Sequence, residues 1–476
     1  MKIEISKNIK NLKGLVVLAF HETEQKLTFP EGHDFPTVSP ALFSGKKGSK
    51  FIIENKDREL TYIYLGLGKN PEYKTIKTAF RILTAKQADL IGETISLVIT
   101  EGMEDEFLEA AVSGLNMGTY RLGHYKKMEE PAKDWKNLKL QIFTDLENAD
   151  EIASKAIKIS NAQLEGMKMV DLPPNKATPQ YLADWAISAG STFGFKVDVL
   201  GRERAAEEGL KAFLAVSQGS SREPQFIIAE YSPKQAGKHI GLVGKGVTFD
   251  TGGLNIKTAG MVHMKCDMGG AAAVLAAMQL IADLQLPIKV TAIVPCVENS
   301  VDKDAFLPSD IIGSHSGKTI EIIDTDAEGR LILADGLSYL IANYAPDTII
   351  DVATLTGSSV GTFGYECAAL FTNDSTLSQL IQESGEQVGE RVWPLPLWDV
   401  YKQDIESDIA DVRNYSGKPF AGAITAAKFL ESFTSDHPSW AHIDIAGTAF
   451  GDSEFGKSKH ATAYGIHLLL KLIEKL

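Results

Sequence analysis

The chain has 476 residues, 44% of them hydrophobic and 23% charged, with a formal net charge of −14. At about 150 residues per domain this suggests three domains or two unequal ones, long enough to bury a core without disulfides or a structural metal. Cys266, Cys296 and Cys367 are too few and too scattered for a disulfide framework or a CxxC metal knuckle, which excludes a small stapled scaffold and fits a reducing, cytoplasmic compartment.

At the start of the chain, lysines precede a short apolar run, Gly14 to Phe20, which is followed by His21-Glu22 and not by small residues. This reads as a first β-strand rather than a signal peptide. Strands follow at Phe51 to Ile53, Tyr62 to Leu65 and Ile95 to Thr100, with a helix at Glu106 to Leu115 and a polar loop from Lys126 to Lys136. From Ala149 to Met169, apolar residues at helical spacing (Ile152, Ala156, Ile159, Ala162, Met167) predict a helix connecting two domains. The expected organisation is therefore an N-terminal α/β domain over 1–150, a connecting helix over 151–170 and a larger domain over 171–476. Asp171 to Pro179 breaks the chain before a helix at Gln180 to Ala189.

In the larger domain, buried-looking strands are predicted at Phe226 to Ala229, Ile240 to Val243, Lys289 to Val294, Thr319 to Ile323, Thr348 to Val352 and Ala368 to Phe371. Helices are predicted at Gly270 to Leu284, Leu331 to Asn343, Ala423 to Phe433 and Thr462 to Lys475. That alternation gives an α/β fold with a largely parallel or mixed sheet flanked by helices. The longest apolar stretch, Gly269 to Ala282, contains Gln279 and stops at Asp283, short of the roughly 20 residues a bilayer needs, so no membrane segment is expected.

Charge is unevenly spread. Up to residue 150 there are 21 basic against 22 acidic residues, and beyond it 27 against 40. An acidic C-terminal two-thirds argues against polyanion binding and suits cations or amines.

Three motifs imitate known chemistry. Gly357-Ser-Ser-Val-Gly361 matches a nucleophile-elbow string with Ser359 as nucleophile, a minor serine-hydrolase alternative, but reads as a Thr/Gly-rich loop after a strand. Gly313 to Thr319 is one residue short of a P-loop and precedes a strand, as a hairpin turn would. The histidines, among them His21, His263, His315, His437, His442 and His460, show no zinc-ligand spacing.

Two segments concentrate carboxylates, lysines and glycines between a strand and a helix. The first runs from Val243 through Lys245, Asp250 and Lys257 to Asp267 and Gly270, and the second is Asp324-Thr-Asp-Ala-Glu-Gly-Arg-Leu331. Both should lie at the carboxyl edge of the sheet, where open α/β folds place their sites. Asp250, Asp267, Asp326 and Glu328 would then converge, and four carboxylates in a small volume need cations to stay ionised. Oxygen-rich sets suit Mn or Mg, and Zn when a nitrogen joins; four negative charges balance two divalent ions. The competing reading is a solvated acidic loop with helix caps, Asp267 being a plausible cap for the helix that follows. Lys245, Lys257 and Arg330 fit oxyanion or anion binding, or simple charge balance.

The segments VGKGVTFDTGGLNIK and DTDAEGRLILADGL resemble the signatures of the leucyl (cytosol) aminopeptidase family, two-metal exopeptidases, and the similarity continues through Ala353 to Gly357, Gly422 to Thr425 and Trp440 to Gly447. It covers about residues 160–476. The resemblance implies a catalytic C-terminal domain and a small N-terminal module of macro-domain type. It implies Asp250, Asp326 and Glu328 on one metal, with the Asp326 carbonyl, and Lys245, Asp250, Asp267 and Glu328 on the other, Lys245 as a neutral amine. Lys257 would polarise the scissile carbonyl, and Arg330 would hold a bicarbonate that takes a proton from the metal-bridging water. Met264, Thr354, Gly357 and Ala446 would line the pocket for the N-terminal side chain, and the Leu355 carbonyl would orient the substrate. The implied substrates are short peptides with a free, leucine-like N-terminus, and the implied assembly is a homo-hexamer.

Two departures from the family pattern stand near the site. Asp324 replaces a usual Asn, and the Lys257–Asp267 interval is one residue short with Thr258 at a usual Pro, which bears on pocket shape near Met264. Some family members also bind DNA as architectural regulators, but the near-neutral N-terminal part here has no dense basic helix to support nucleic-acid binding.

Overall fold

In the computed structural model, residues 1–55, 59–100, 103–121, 125–127, 133–451 and 459–476 are described. The polar loop expected from Lys126 to Lys136 therefore lies partly outside the described residues, at 128–132. The chain divides into two units, Met1–Leu164 and Glu165–Leu476.

The first unit carries strands β1 (Lys2–Ser6), β2 (Leu15–His21), β3 (Lys50–Asn55), β4 (Leu60–Gly68), β5 (Thr94–Val98) and β6 (Lys139–Phe143), with helices α1 (Tyr73–Lys86) and α2 (Asp105–Met117). The sheet order is β1-β6-β5-β2-β4-β3, parallel except where β3 meets β4. Alternation along β2 feeds two cores. Leu15, Val17 and Ala19 pack with Phe80, Leu83, Leu108 and Leu115 of the helices. Val16, Leu18 and Phe20 pack with Phe35, Phe43, Tyr62 and Tyr64 on the other face. Helix α1, absent from the sequence reading, buries Tyr73, Ile76, Phe80 and Leu83 at helical spacing.

Helix α3 (Ala149–Asp171) contains the point at which the units divide. The second unit continues with α4 (Pro179–Phe193), β7 (Lys196–Leu200), the short helices α5 (Arg202–Glu207) and α6 (Lys211–Val216), β8 (Gln225–Tyr231), β9 (His239–Gly244), β10 (Gly246–Asp250), α7 (Gly269–Asp283) and β11 (Lys289–Asn299). Then come β12 (Ile311–Gly313), β13 (Thr319–Glu321), α8 (Gly329–Tyr344), β14 (Thr348–Ala353), α9 (Gly357–Phe363), β15 (Ala368–Thr372), α10 (Ser375–Val388), β16 (Val392–Pro394), β17 (Val412–Arg413), α11 (Gly422–Glu431), β18 (Trp440–Asp444) and α12 (Ile466–Ile473). Thr178 caps α4 by accepting from the Tyr181 amide, and Gly194 ends it in the left-handed conformation.

The main sheet runs β16-β15-β18-β14-β9-β11-β8-β7, with β10 beside β11. Strands β18, β14, β9, β11 and β10 pair in parallel, whereas β8 and β15 pair antiparallel to their inner neighbours. The sheet is mixed, and the carboxyl ends of its five central parallel strands share one edge. Leu331, Leu337 and Leu340 of α8 pack in one core with Val243, Ile293, Ile349 and Trp440. Asp335 of α8 is fully buried and accepts from the Phe213 and His315 amides at 2.9 and 2.8 Å.

One stretch, Met261–Asp283, is long and apolar enough to cross a membrane, but 89% of its apolar window is buried inside the unit. Every residue of α7 from Gly269 to Ala282 is buried, as in a helix enclosed by its own domain. Two expectations need correction. The Thr/Gly-rich loop at 357–361 is helix α9, because Thr356 caps it by accepting from the Ser359 amide at 3.0 Å. The last helix starts at Ile466 rather than Thr462, where buried Glu390 accepts from the Gly465 and Leu468 amides. Gly313 to Thr319 forms the expected hairpin, β12 pairing antiparallel with β13.

Candidate active site

Lys245 occupies the turn between β9 and β10. Its amide donates to the Val352 carbonyl at 3.1 Å, and its carbonyl accepts from the Ala271 amide at 2.8 Å, which pins it between β14 and α7. That closeness requires glycine at 270, where a Cβ would run into the Val352 carbonyl oxygen. At Gly329 a Cβ would meet the end of the Lys245 side chain, so any larger residue there would displace the ammonium from its place. The ammonium, only 3% exposed, reaches Asp267 Oδ1 at 2.8 Å, Glu328 Oε1 at 3.0 Å and the Thr354 carbonyl at 3.0 Å.

Lys257 forms a second bridge, 2.8 Å from Asp250 Oδ2 and 2.5 Å from Asp326 Oδ1. Carboxylate oxygens of Asp250, Asp326 and Glu328 lie within 4.8 Å of one another. Asp250 and Glu328 are buried, while the Asp326 side chain is 33% exposed. Asp267 does not cap α7, whose N-cap position is Met268 with no side-chain bond. Its Oδ1 instead accepts from Thr354 Oγ1 at 3.0 Å.

Burial would push both lysines down, but the surrounding carboxylates outweigh it and hold their ammonium groups above the ordinary range. Burial, reinforced by the neighbouring carboxylates, pushes Asp267 and Glu328 up and raises Asp326 to about 7. Arg330, buried in the first turn of α8, is pushed down by burial; its Nη1 donates to the Asn414 carbonyl at 2.9 Å.

Of the residues implied to line the pocket, Thr354 and Gly357 follow β14, as does Leu355, implied to orient the substrate; Ala446 follows β18, and Met264 lies in the turn Met261–Cys266 that leads into Asp267. Only Thr354 of these bonds to the carboxylate–lysine cluster, through Asp267 and Lys245. Asp324 points into its own loop, its Oδ1 accepting from the Asp326 amide at 2.8 Å, an acceptor role an Asn would fill equally. Ser359 is buried; its Oγ faces the Asp444 carbonyl at 3.5 Å, so it has no nucleophile geometry.

Three residues that sequence reasoning omits hold the site together. Asn299, in register with Asp250, donates to Asp250 Oδ1 at 2.8 Å and to the Thr325 carbonyl at 3.1 Å. Asn414 accepts from the Ile323 amide at 2.8 Å and donates to the Asp324 carbonyl at 2.6 Å. Asp444 accepts from the segments after β14 and β18. Thr325 and Asn255 add a latch, Thr325 Oγ1 donating to the Gly252 carbonyl at 2.7 Å and the Asn255 amide to Thr325 Oγ1 at 2.8 Å.

The donor set fits divalent cations. Asp267 Oδ2 is buried without a hydrogen-bond partner, and Glu328 Oε1 and Asp326 Oδ1 meet lysines without hydrogen-bond geometry. Buried carboxylate oxygens of this kind call for positive charge, and a set of hard oxygen donors is the class that binds it. Arg330 Nε is likewise buried and unpartnered.

The profile described as "Cytosol aminopeptidase family, catalytic domain" matches residues 166–470. A "Probable cytosol aminopeptidase" of Roseiflexus castenholzii is 39% identical over 474 residues, covering 96% of each chain. One of the same description from Chlorobaculum tepidum is 45% identical over 381 residues, 78% of this chain and 75% of that one. Among solved structures, "Bottromycin maturation enzyme BotP in complex with Mn" aligns with a TM-score of 0.86 at 29% identity, covering 97% of this chain and 99% of that one.

Proposed function

The chain belongs to the cytosol aminopeptidase family and is a metal-dependent aminopeptidase; from that premise we propose that it releases unblocked, leucine-like residues from the N-terminus of short peptides. The observation that carries this reading is the meeting of Asp250, Asp326 and Glu328 within 4.8 Å at the sheet edge, with buried Lys245 joining Asp267 to Glu328.

Asp250, Asp326, with its carbonyl, and Glu328 would hold one ion, and Lys245, Asp250, Asp267 and Glu328 the other, Asp250 and Glu328 being shared. Manganese, zinc and magnesium all suit the set, and the manganese complex of BotP supports the first. When bound, such ions supply Lewis-acid polarisation and make water nucleophilic near neutral pH. Lys257, kept cationic by its carboxylate neighbours, would stabilise the negative charge that develops on the scissile carbonyl oxygen. Arg330 would hold bicarbonate through its free Nε, supplying a proton acceptor. Met264, Thr354, Gly357 and Ala446 would shape the side-chain pocket, with the Leu355 carbonyl orienting the peptide.

In this reading residues 1–150 form an accessory domain, 151–170 a connecting helix and 171–476 the catalytic domain. The assembly is a homo-hexamer acting in the cytoplasm, and a sedimentation mass of one protomer at micromolar concentration would refute the assembly. The activity is tested with manganese- or zinc-loaded protein on leucyl-p-nitroanilide and on leucyl peptides with and without an N-acetyl group. Cleavage confined to the free amine supports the reading, and equal cleavage of acetylated peptides overturns it.

A further inference from the structure

Strands β14 and β18 lie side by side in parallel, with Ala353 opposite Asp444. Their ladder ends where the Ile445 amide donates to the Ala353 carbonyl at 2.8 Å. The ladder goes no further between these two segments, so the amides of Leu355 and Thr356 on one side and Ala446 on the other are not paired within it. Amides that are wholly or partly buried need another acceptor.

The Asp444 carboxylate, fully buried, is that acceptor for both segments. Its Oδ1 accepts from the Leu355, Thr356 and Ala446 amides at 3.1, 3.4 and 3.1 Å, and its Oδ2 accepts from Thr356 Oγ1 at 2.7 Å. Thr356 Oγ1 in turn accepts from the Ser359 amide at 3.0 Å, which starts α9 at Gly357. One side chain thus sets the separation of the two segments that carry Thr354, Leu355 and Gly357 on one wall and Ala446 on the other. Its hydrogen bonds go to these two segments and not to the converging carboxylates, which the neighbouring Thr354 reaches through Asp267 and Lys245, while its charge acts on Arg330.

We infer that Asp444 is the positioning residue that sets the width of the pocket for the substrate's N-terminal side chain, and so its preference for large over small residues. The inference rests on the aminopeptidase reading. Two oxygens serve four donors here. An amide at this position keeps one oxygen for the three main-chain amides but, having lost the carboxylate charge, holds them less tightly, and its NH2 forces the Thr356 hydroxyl to accept where it now donates. Asp444→Asn should therefore loosen one wall against the other without removing a carboxylate from the metal-binding set.

The test uses full-length, manganese-loaded protein carrying Asp444→Asn, Thr356→Val or Thr356→Ser, with leucyl- and alanyl-p-nitroanilide as probes and bound manganese measured beside the kinetics. Asp444→Asn should keep the wild-type manganese content, raise KM for the leucyl substrate by about tenfold and lower the leucine-to-alanine ratio of kcat/KM by a similar factor, the size of one lost hydrogen bond to a charged group. Thr356→Val should move both quantities the same way by less, and Thr356→Ser should restore them. If Asp444→Asn does not fold, the Thr356 pair decides alone. An unchanged leucine-to-alanine ratio, or manganese lost in step with activity, overturns the inference while leaving the aminopeptidase reading in place. Wild-type protein that cleaves neither probe overturns both.

Discussion

Asn414 and Arg330 are joined through the main chain, the Arg330 guanidinium donating to the Asn414 carbonyl while the Asn414 side chain clasps the loop that leads to Asp326 and Glu328. Asn414 has no exposed surface. Replacing it by Ala leaves the Ile323 amide without a partner and removes one of two donors from the Asp324 carbonyl, which keeps the Ala327 amide, so it should cost about 1–3 kcal/mol of stability. It should also weaken metal binding by about 10–100-fold, the usual effect of removing a group that orients ligands. Thermal unfolding and a metal titration of Asn414→Ala check the two together.

The proposed shared ligands have a sharper signature. Asp250→Asn or Glu328→Gln leaves too little negative charge for two dications, so metal content and turnover should fall in parallel. Elemental analysis beside kinetics measures this, and a fully active Glu328→Gln would contradict the assignment.

Lys257 and Arg330 should behave differently, because in the proposed division neither belongs to the metal-binding set. Lys257→Ala should keep its metals and lose roughly 10²–10³-fold in kcat, as when one preorganised oxyanion contact is deleted. Arg330→Ala should lose less, since water can partly serve in place of the held anion. A metal-free Lys257→Ala protein would refute the division of roles.

Asp335 makes stability depend on pH away from the site. Burial raises its carboxyl to about 7 in the fold, well above the ordinary 3.8, against the pull of its amide donors. The folded state therefore binds the proton more tightly. The stability this group contributes is fully present below the unfolded pKa and is lost as pH rises through about 7, a change of about 4 kcal/mol at most. Melting temperatures between pH 5 and 8 should fall less steeply in Asp335→Asn than in the wild type, whatever the difference in absolute stability.

The first proposed ligand segment is legible in the sequence because it couples strands of the main sheet to a run of glycine and acid just before a helix. The second follows β13, which pairs with β12 and β17 in a separate three-stranded sheet, so the expectation that both segments leave the edge of one sheet is corrected, and the side chains meet all the same. The elements of the central sheet are legible for a similar reason: β9, β11 and β14 are apolar along nearly their whole length, as strands covered on both faces must be. Asn299, Asn414 and Asp444 are not legible, because they act on main-chain groups up to 91 residues away and carry no periodicity of their own. Helix α1 escapes notice since lysines and threonines interrupt its buried stripe. Helix α9 reads as a loop because its cap, a threonine before a glycine, has the composition of a turn.

The pinning of Lys245 has a consequence for the order in which the protein matures. Its amide answers to β14, its carbonyl to α7, and its side chain runs through the gap left at Gly329 of α8. A nascent chain holding only part of this unit has the acids but not their arrangement, so it offers cations a diffuse and weak attraction. In the proposed division of ligands, affinity would appear when the last of these elements docks, and ions that bind only the finished arrangement would pull the folding equilibrium toward it by mass action.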